Sequence, residues 1–123
     1  MISRKHRFHG YGSLKYVYRQ GQTVRGPLFS VKSVPNPKRD SYRLAVVVSR
    51  KVHGSAVARN RIRRRLYEAV RLLEDQMPEA HDVVITVFHD SVGETPAKEL
   101  QAQLKKQLRE AGVLKKPVKP SEK

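Results

Sequence analysis

The chain contains no cysteine, which excludes disulfides and thiolate-held metals and fits a reducing compartment. Acidic residues are scarce: 11 Asp and Glu stand against 26 Lys and Arg, a formal charge of +15. Nothing approaches the roughly 18 consecutive apolar residues of a membrane span; the longest apolar run is Leu44 to Val48. The N-terminus, Met1 to Arg7, is basic, but no apolar signal core follows it. A soluble, cytoplasmic protein without a membrane partner is the expectation. Glycine fingerprints for phosphates or dinucleotides are also missing. The histidines His6, His9, His53, His81 and His89 show no metal-ligand spacing. A His/Lys nuclease site around His6 and His9, or a Mg²⁺ pair of Asp82 and Asp90, is conceivable from residue type alone. Two carboxylates flanking one strand, with no third nearby, are simpler to read as capping and loop residues. No catalytic and no metal-binding residue is therefore expected on this chain.

The 123 residues suit one domain, and a domain of this size buries roughly two-thirds of its unfolded surface. What dominates the composition is positive charge. An excess of this size repels itself unless a polyanion compensates it; nucleic acid is the first candidate and an anionic membrane surface the second.

No internal repeat or linker interrupts the chain. Residues 1–10 read as an irregular basic arm. Ser13 is placed to cap a short helix, Leu14 to Gln20, with Gly21 as its left-handed stop. Leu28 to Val34 reads as a strand with Phe29 and Val31 on the core face and Ser30 and Lys32 on the other, leaving Lys32 free to meet a polar group. A weaker strand around residues 22–25 can pair with it, and Pro35 to Asp40 is a turn. Arg43 to Ser49, rich in valine, has the composition of a central strand covered on both faces, and Val83 to Phe88 of another. Between them residues 56–75 are helical, so the unit is strand, helix, parallel strand. Thr95 and Pro96 open a last helix with Leu100, Leu104 and Leu108 as its stripe. Gly112 ends it, and Val113 folds back on the last turn. Residues 115–123 form a Lys/Pro tail with the composition of a disordered segment.

The helix between the valine-rich strands is the most informative segment. At about 100° per residue, Ile62, Leu66, Ala69, Val70 and Leu73 share one stripe. Asn60, Arg64, Tyr67 and Arg71 fall opposite; Arg61 and Arg63 flank these, while Arg59 and Arg65 border the apolar stripe. The segment from Arg59 to Arg71 carries six arginines and one glutamate. Like charges three and four apart cost a helix a few tenths of a kcal/mol per pair. Phosphates over this face would offset the cost, because the guanidinium fork matches phosphate oxygens in pairs. The helix N-terminus adds free N–H groups and a positive dipole end, and Asn60 can both donate to and accept from a ribose hydroxyl or base edge.

The order Val48-Ser49-Arg50-Lys51-Val52, a short loop, then Ala56-Val57-Ala58-Arg59-Asn60-Arg61-Ile62-Arg63-Arg64 resembles the signature of bacterial ribonuclease P proteins. Arg7-Phe8, the stretch Leu14 to Gly21 before a strand, Asp82 to Ile85 and the closing leucine helix resemble the same family. The likeness covers roughly residues 4–114 and leaves out the tail.

The resemblance implies a single-domain α+β fold over residues 1–114. Its layers form an α/β sandwich in the order α-β-β-β-α-β-α, with a left-handed βαβ crossover like that of the second domain of ribosomal protein S5. It implies a non-catalytic subunit of an endoribonuclease, one protein per catalytic RNA. In that enzyme the RNA, with Mg²⁺, removes the 5′ leader of precursor tRNA and leaves a 5′-phosphate on the tRNA; the protein binds no cofactor tightly. Carried over by position, Arg50, Lys51, Arg59, Asn60, Arg61, Arg63 and Arg64 contact the catalytic RNA, and Leu14, Tyr18 and Lys32 line a cleft for the leader. The family often has aromatic residues where Leu14 and Lys32 stand, so of the three only Tyr18 keeps a ring for stacking. The loop His53-Gly54-Ser55 is a residue longer than in some relatives. The alternative class is a ribosomal or other structural RNA-binding protein with no part in cleavage. It would share the charge and the arginine helix but not the serine-basic-basic strand end joined to Arg-Asn-Arg.

Overall fold

The computed structural model describes residues 11–37, 41–77 and 79–114. The basic arm, the tip of the Pro35–Asp40 turn and the Lys/Pro tail lie outside them. The fold is mixed α+β. Helix α1 (Tyr11–Gln20) is followed by strands β1 (Gln22–Arg25), β2 (Phe29–Pro35) and β3 (Arg43–Val47). Helix α2 (Ala56–Arg71), strand β4 (His81–Val87) and helix α3 (Ala97–Glu110) complete it. This is the expected element order.

The four strands form one sheet in the order β1-β2-β4-β3. β1 with β2 and β2 with β4 are antiparallel, while β3 and β4 are parallel and joined through α2. β4 therefore sits inside the sheet, and six of its seven residues are buried. β3 lies at the edge, which corrects the expectation that it is covered on both faces. Leu44 and Val46 are buried, whereas Ala45 is half-buried and Val47 exposed. Valine content reported strand propensity there, not the number of layers packed on it.

Phe29, Val31, Leu44, Val46, Val83, Ile85 and Val87 share the face against which α2 and α3 pack. α2 delivers Ile62, Leu66, Ala69 and Val70, and Leu73 follows just after the helix. α3 delivers Leu100, Leu104 and Leu108. Each such leucine contributes about 2 kcal/mol by leaving water. Tyr67, expected toward solvent, packs partly against this core. Gln107 is buried on the same helix and donates to Phe29 O at 2.9 Å and Val24 O at 3.3 Å, which ties α3 across β1 and β2.

The helix ends partly depart from the reading. α2 stops at Arg71, and Glu74–Gln76 is a separate turn of 3-10 helix. Ser13 lies inside α1 rather than at its cap. Gly21 is not left-handed; its N–H meets Val17 O at 2.7 Å, and a Cβ there would stand 2.5 Å from that carbonyl. Glycine is needed at position 21 for close approach. Thr95 does not cap α3, because its hydroxyl turns back to Ser91 O at 2.8 Å. Gly112, at φ 80°, does end α3, and Val113 N returns to Leu108 O at 2.9 Å.

Two polar contacts fasten the loops to this frame. Asp82 is buried and takes Arg43 Nε at 2.9 Å and Nη2 at 2.7 Å, with Asn36 Nδ2 at 3.0 Å. Tyr42 donates its hydroxyl to Glu74 at 3.0 Å; burial first, and that hydrogen bond second, push its phenol well above the ordinary tyrosine value. Removing Asp82 would leave Arg43 without its paired acceptor. Asp82→Ala should cost about 3 kcal/mol or more in urea unfolding. Tyr42→Phe should cost about 1 kcal/mol near neutrality. A raised native pKa stabilises below the unfolded value and loses that stabilisation as pH rises. The gap between the parent and Tyr42→Phe should therefore shrink above about pH 10, read by denaturant melts across that range.

Candidate nucleic-acid interface

The arginine block begins where β3 ends. Ser49 O accepts from Val52 N at 3.0 Å and His53 N at 3.4 Å, so the chain turns tightly after Ser49. Ser55 then caps α2, its hydroxyl oxygen accepting from Ala58 N at 3.3 Å, and its own N–H donates to His53 Nδ1 at 3.0 Å. The first turn of α2 contains no acidic residue. Apart from the capped Ala58 N–H, the positive end of the helix therefore meets no acidic side chain of its own and suits an external anion.

The arginines divide into two sets. Arg59 donates to His53 O at 3.0 Å and Gly54 O at 2.9 Å, holding the loop. Arg63 reaches Val48 O at 3.3 Å and Asn60 Oδ1 at 2.7 Å, leaving the Asn60 amide N–H groups to face outward. Arg65 grips Val92 O at 2.7 Å and Thr95 O at 2.5 Å, fastening α2 to the segment before α3. Arg71 pairs with Glu68 on the exposed surface; their hydrogen bonds lower the carboxyl pKa and raise that of the guanidinium. Arg50, Lys51, Arg61 and Arg64, by contrast, are exposed and make no hydrogen bond or ion pair with another described residue. Seven positions read alike in the sequence therefore split into scaffold (Arg59, Arg63) and outward-facing groups (Arg50, Lys51, Asn60, Arg61, Arg64). A half-open cleft of about 140 Å³ lies beside Arg61, bordered by His53, Asp90 and Glu94.

The opposite face of the sheet holds the other expected site. α1 packs there, burying Val17. Leu14 is half-buried, and Tyr18 is 45 % exposed one turn on. Lys32 points to this face as expected, but it is not free: its ammonium donates to Tyr18 O at the end of α1 and lies 5.8 Å from the Tyr18 ring. A cation at a helix C-terminus is favourable, and two of its three donors remain. Tyr18 and Lys32 are thus brought together, with Leu14 one turn back along α1.

The sequence reading missed a second cation and ring on this face. Arg25, at the end of β1, lies 4.5 Å from the centroid of Phe88, just past β4. The available signal was the period of two, which puts Arg25 on the face of Thr23 and Phe88 on that of Thr86. Both Asp82 oxygens are engaged by Arg43 and Asn36, and Asp90 lies 3.4 Å from His89; among the described residues no three His, Cys, Asp or Glu gather at one point. His6 and His9 lie outside the described residues. No described helix is long and apolar enough to cross a membrane.

Comparison with known proteins gives the family and the fold. The family model for ribonuclease P matches residues 2–112. The ribonuclease P protein component of Chloroflexus aurantiacus is 36 % identical over 116 residues, covering 94 % of this chain and 84 % of the relative. That of Gluconacetobacter diazotrophicus is 36 % identical over 114 residues, covering 92 % and 97 %. Among solved structures, the Staphylococcus aureus RNase P protein superposes with a TM-score of 0.77 at 25 % identity, over 89 % of this chain and 98 % of that one. The Thermotoga maritima RNase P protein shares the fold, with a TM-score of 0.74 at 23 % identity over 85 % and 96 %. With its sequence matched almost end to end and its fold shared, the chain belongs to the ribonuclease P protein family.

Proposed function

We propose that the chain is the RNA-binding subunit of a cytoplasmic ribonuclease P ribonucleoprotein, one protein per catalytic RNA. It helps the RNA remove the 5′ leader of precursor tRNA by phosphodiester hydrolysis. The observation that carries this is the outward-facing set Arg50, Lys51, Asn60, Arg61 and Arg64, gathered where β3 turns into α2 and unpaired within the described residues apart from Asn60 Oδ1. Buried or bonded arginines would serve the fold alone; these have phosphate as their natural partner. Arg59 and Arg63 take part by holding the loop and the helix start in place. Leu14, Tyr18 and Lys32 meet the leader, Tyr18 by stacking and Lys32 with its remaining donors. The RNA supplies the catalytic groups and holds the Mg²⁺. Asp82 has both oxygens engaged by Arg43 and Asn36, which fits a chain that supplies no catalytic group.

The RNA that co-purifies with the tagged chain tests the assignment. The catalytic RNA of ribonuclease P is expected; ribosomal RNA in its place would favour a structural RNA-binding protein. Arg61→Ala with Arg64→Ala should weaken binding to the catalytic RNA with the melting temperature unchanged. The logarithmic salt slope should fall by about 0.7–0.9 per lost phosphate contact. Arg65→Ala should do the reverse, costing about 2 kcal/mol of stability through two orphaned carbonyls. Equal behaviour of the two sets would mean the division has been misread. Tyr18→Ala in the assembled enzyme should weaken precursor tRNA roughly tenfold and leave leaderless tRNA unchanged. Equal losses for both ligands would remove the leader from this groove.

A further inference from the structure

Both cation–ring contacts among the described residues lie on the face of the sheet that carries α1. Lys32 with Tyr18 is one, and it has been assigned above. Arg25 with Phe88 is the other, and neither the fold nor the arginine helix uses it. Phe88 is 38 % exposed at the mouth of the central strand, and Arg25 is exposed without a hydrogen bond or ion pair to a described residue. A ring and a guanidinium held together on open surface contribute little to folding, where apolar burial would do more.

The strand register gives their spacing. Thr23 stands beside Lys32, and Arg25 beside Ser30. Ser30 in turn faces Thr86, and Thr86 faces Val47. Arg25 is therefore two residues from the level of Lys32, roughly 7 Å along the sheet, with Phe88 a further step beyond Thr86. Ser30 and Thr86 stand at the level of Arg25; Ser30 is buried and Thr86 half-buried. The Thr86 hydroxyl can meet a phosphate or a ribose 2′-hydroxyl. Stacked strands place one phosphate per 3.4 Å, and unstacked ones space them more widely. The separation therefore suits neighbouring or next-neighbouring nucleotides.

The same register fixes the direction. β3 and β4 are parallel, so both run toward the end of the sheet where Val47 and Val87 lie. The loop bearing Arg50 and Lys51 leaves from that end, and Phe88 stands at it. Lys32 and Tyr18 lie farther back. A strand emerging from the RNA gripped at the arginine loop would pass Arg25 and Phe88 before it reached Lys32 and Tyr18.

We infer that Arg25 and Phe88 form a second nucleotide station of the groove, taking the leader nucleotides that lie closer to the cleavage point than those at Tyr18 and Lys32. Phe88 gives a base a flat apolar surface, and Arg25 a cation for the adjoining phosphate, the two parts that single-strand recognition needs. This rests on the leader reading of the groove given above.

The test uses the assembled enzyme and precursor tRNAs whose leaders lengthen one nucleotide at a time, with leaderless tRNA as reference. Phe88→Leu and Arg25→Ala should each weaken precursor binding roughly tenfold, while Phe88→Tyr, which keeps the ring, should bind as the parent does. Melting curves of the variants should match the parent. The losses should set in at a shorter leader than those of Tyr18→Ala and Lys32→Ala. Losses shared by leaderless tRNA, no loss at any length, or onset at the same or a longer leader would overturn the second station while Tyr18→Ala remains leader-dependent. If Tyr18→Ala and Lys32→Ala also ignore leader length, it is the groove reading itself that fails.

Discussion

The seating of α2 on the sheet is the interaction on which the rest depends. One stripe of this helix, Ile62, Leu66, Ala69 and Val70, must enter the apolar layer formed by β2, β3 and β4. Six arginines on the same helix resist that, both by mutual repulsion and by the cost of bringing charge near an apolar surface. The conflict is resolved by direction. Ile62 and Leu66 point inward and are buried, whereas Arg61 and Arg64 point away. Three other arginines are satisfied by carbonyls the fold leaves open: Arg59 by His53 and Gly54, Arg63 by Val48, Arg65 by Val92 and Thr95. Those bonds do two things together. They lower the cost of the charge, and they fix the loop before α2 and the segment before α3 in one geometry.

Function follows from the same arrangement. The loop after β3 and the start of α2, tied together by Arg59 and Arg63, carry Arg50, Lys51, Arg61 and Arg64 on a backbone already fixed by the fold. Less ordering entropy then remains to be lost when RNA binds. On the other face, Lys32 fastens the end of α1 above β2 while keeping donors for a ligand. The sheet separates the two surfaces, and the parallel pairing of β3 and β4 makes them meet at one end.

Much of this was legible in the order of the residues. Apolar periodicity located the core stripe of α2 because burial acts on each residue type directly, wherever the chain leads. Gly112 and Val113 ended α3 as read, since a left-handed turn and its fold-back contact are local. The density of arginine with so little acid marked the proposed RNA-facing element for an equally local reason, the uncompensated charge. The Arg-Asn-Arg motif and its neighbours point to the family by residue order alone.

Other features needed the tertiary structure, because they depend on partners far along the chain. Strand order decides which valine-rich strand lies inside: β3 is at the edge and β4 is central, though their compositions are alike. Whether an arginine serves the fold or faces RNA depends on which carbonyls are within reach, and Val92 is 27 residues from Arg65. Asp82 could be placed by type as a metal ligand or a structural acceptor; Arg43 and Asn36, brought beside it by the pairing of distant strands, decide for the latter. Arg25 and Phe88 meet only because β1 and β4 flank β2. Local chemistry thus determined the core stripe, the end of α3 and the charge, while long-range pairing decided which charged groups were left without a partner inside the fold.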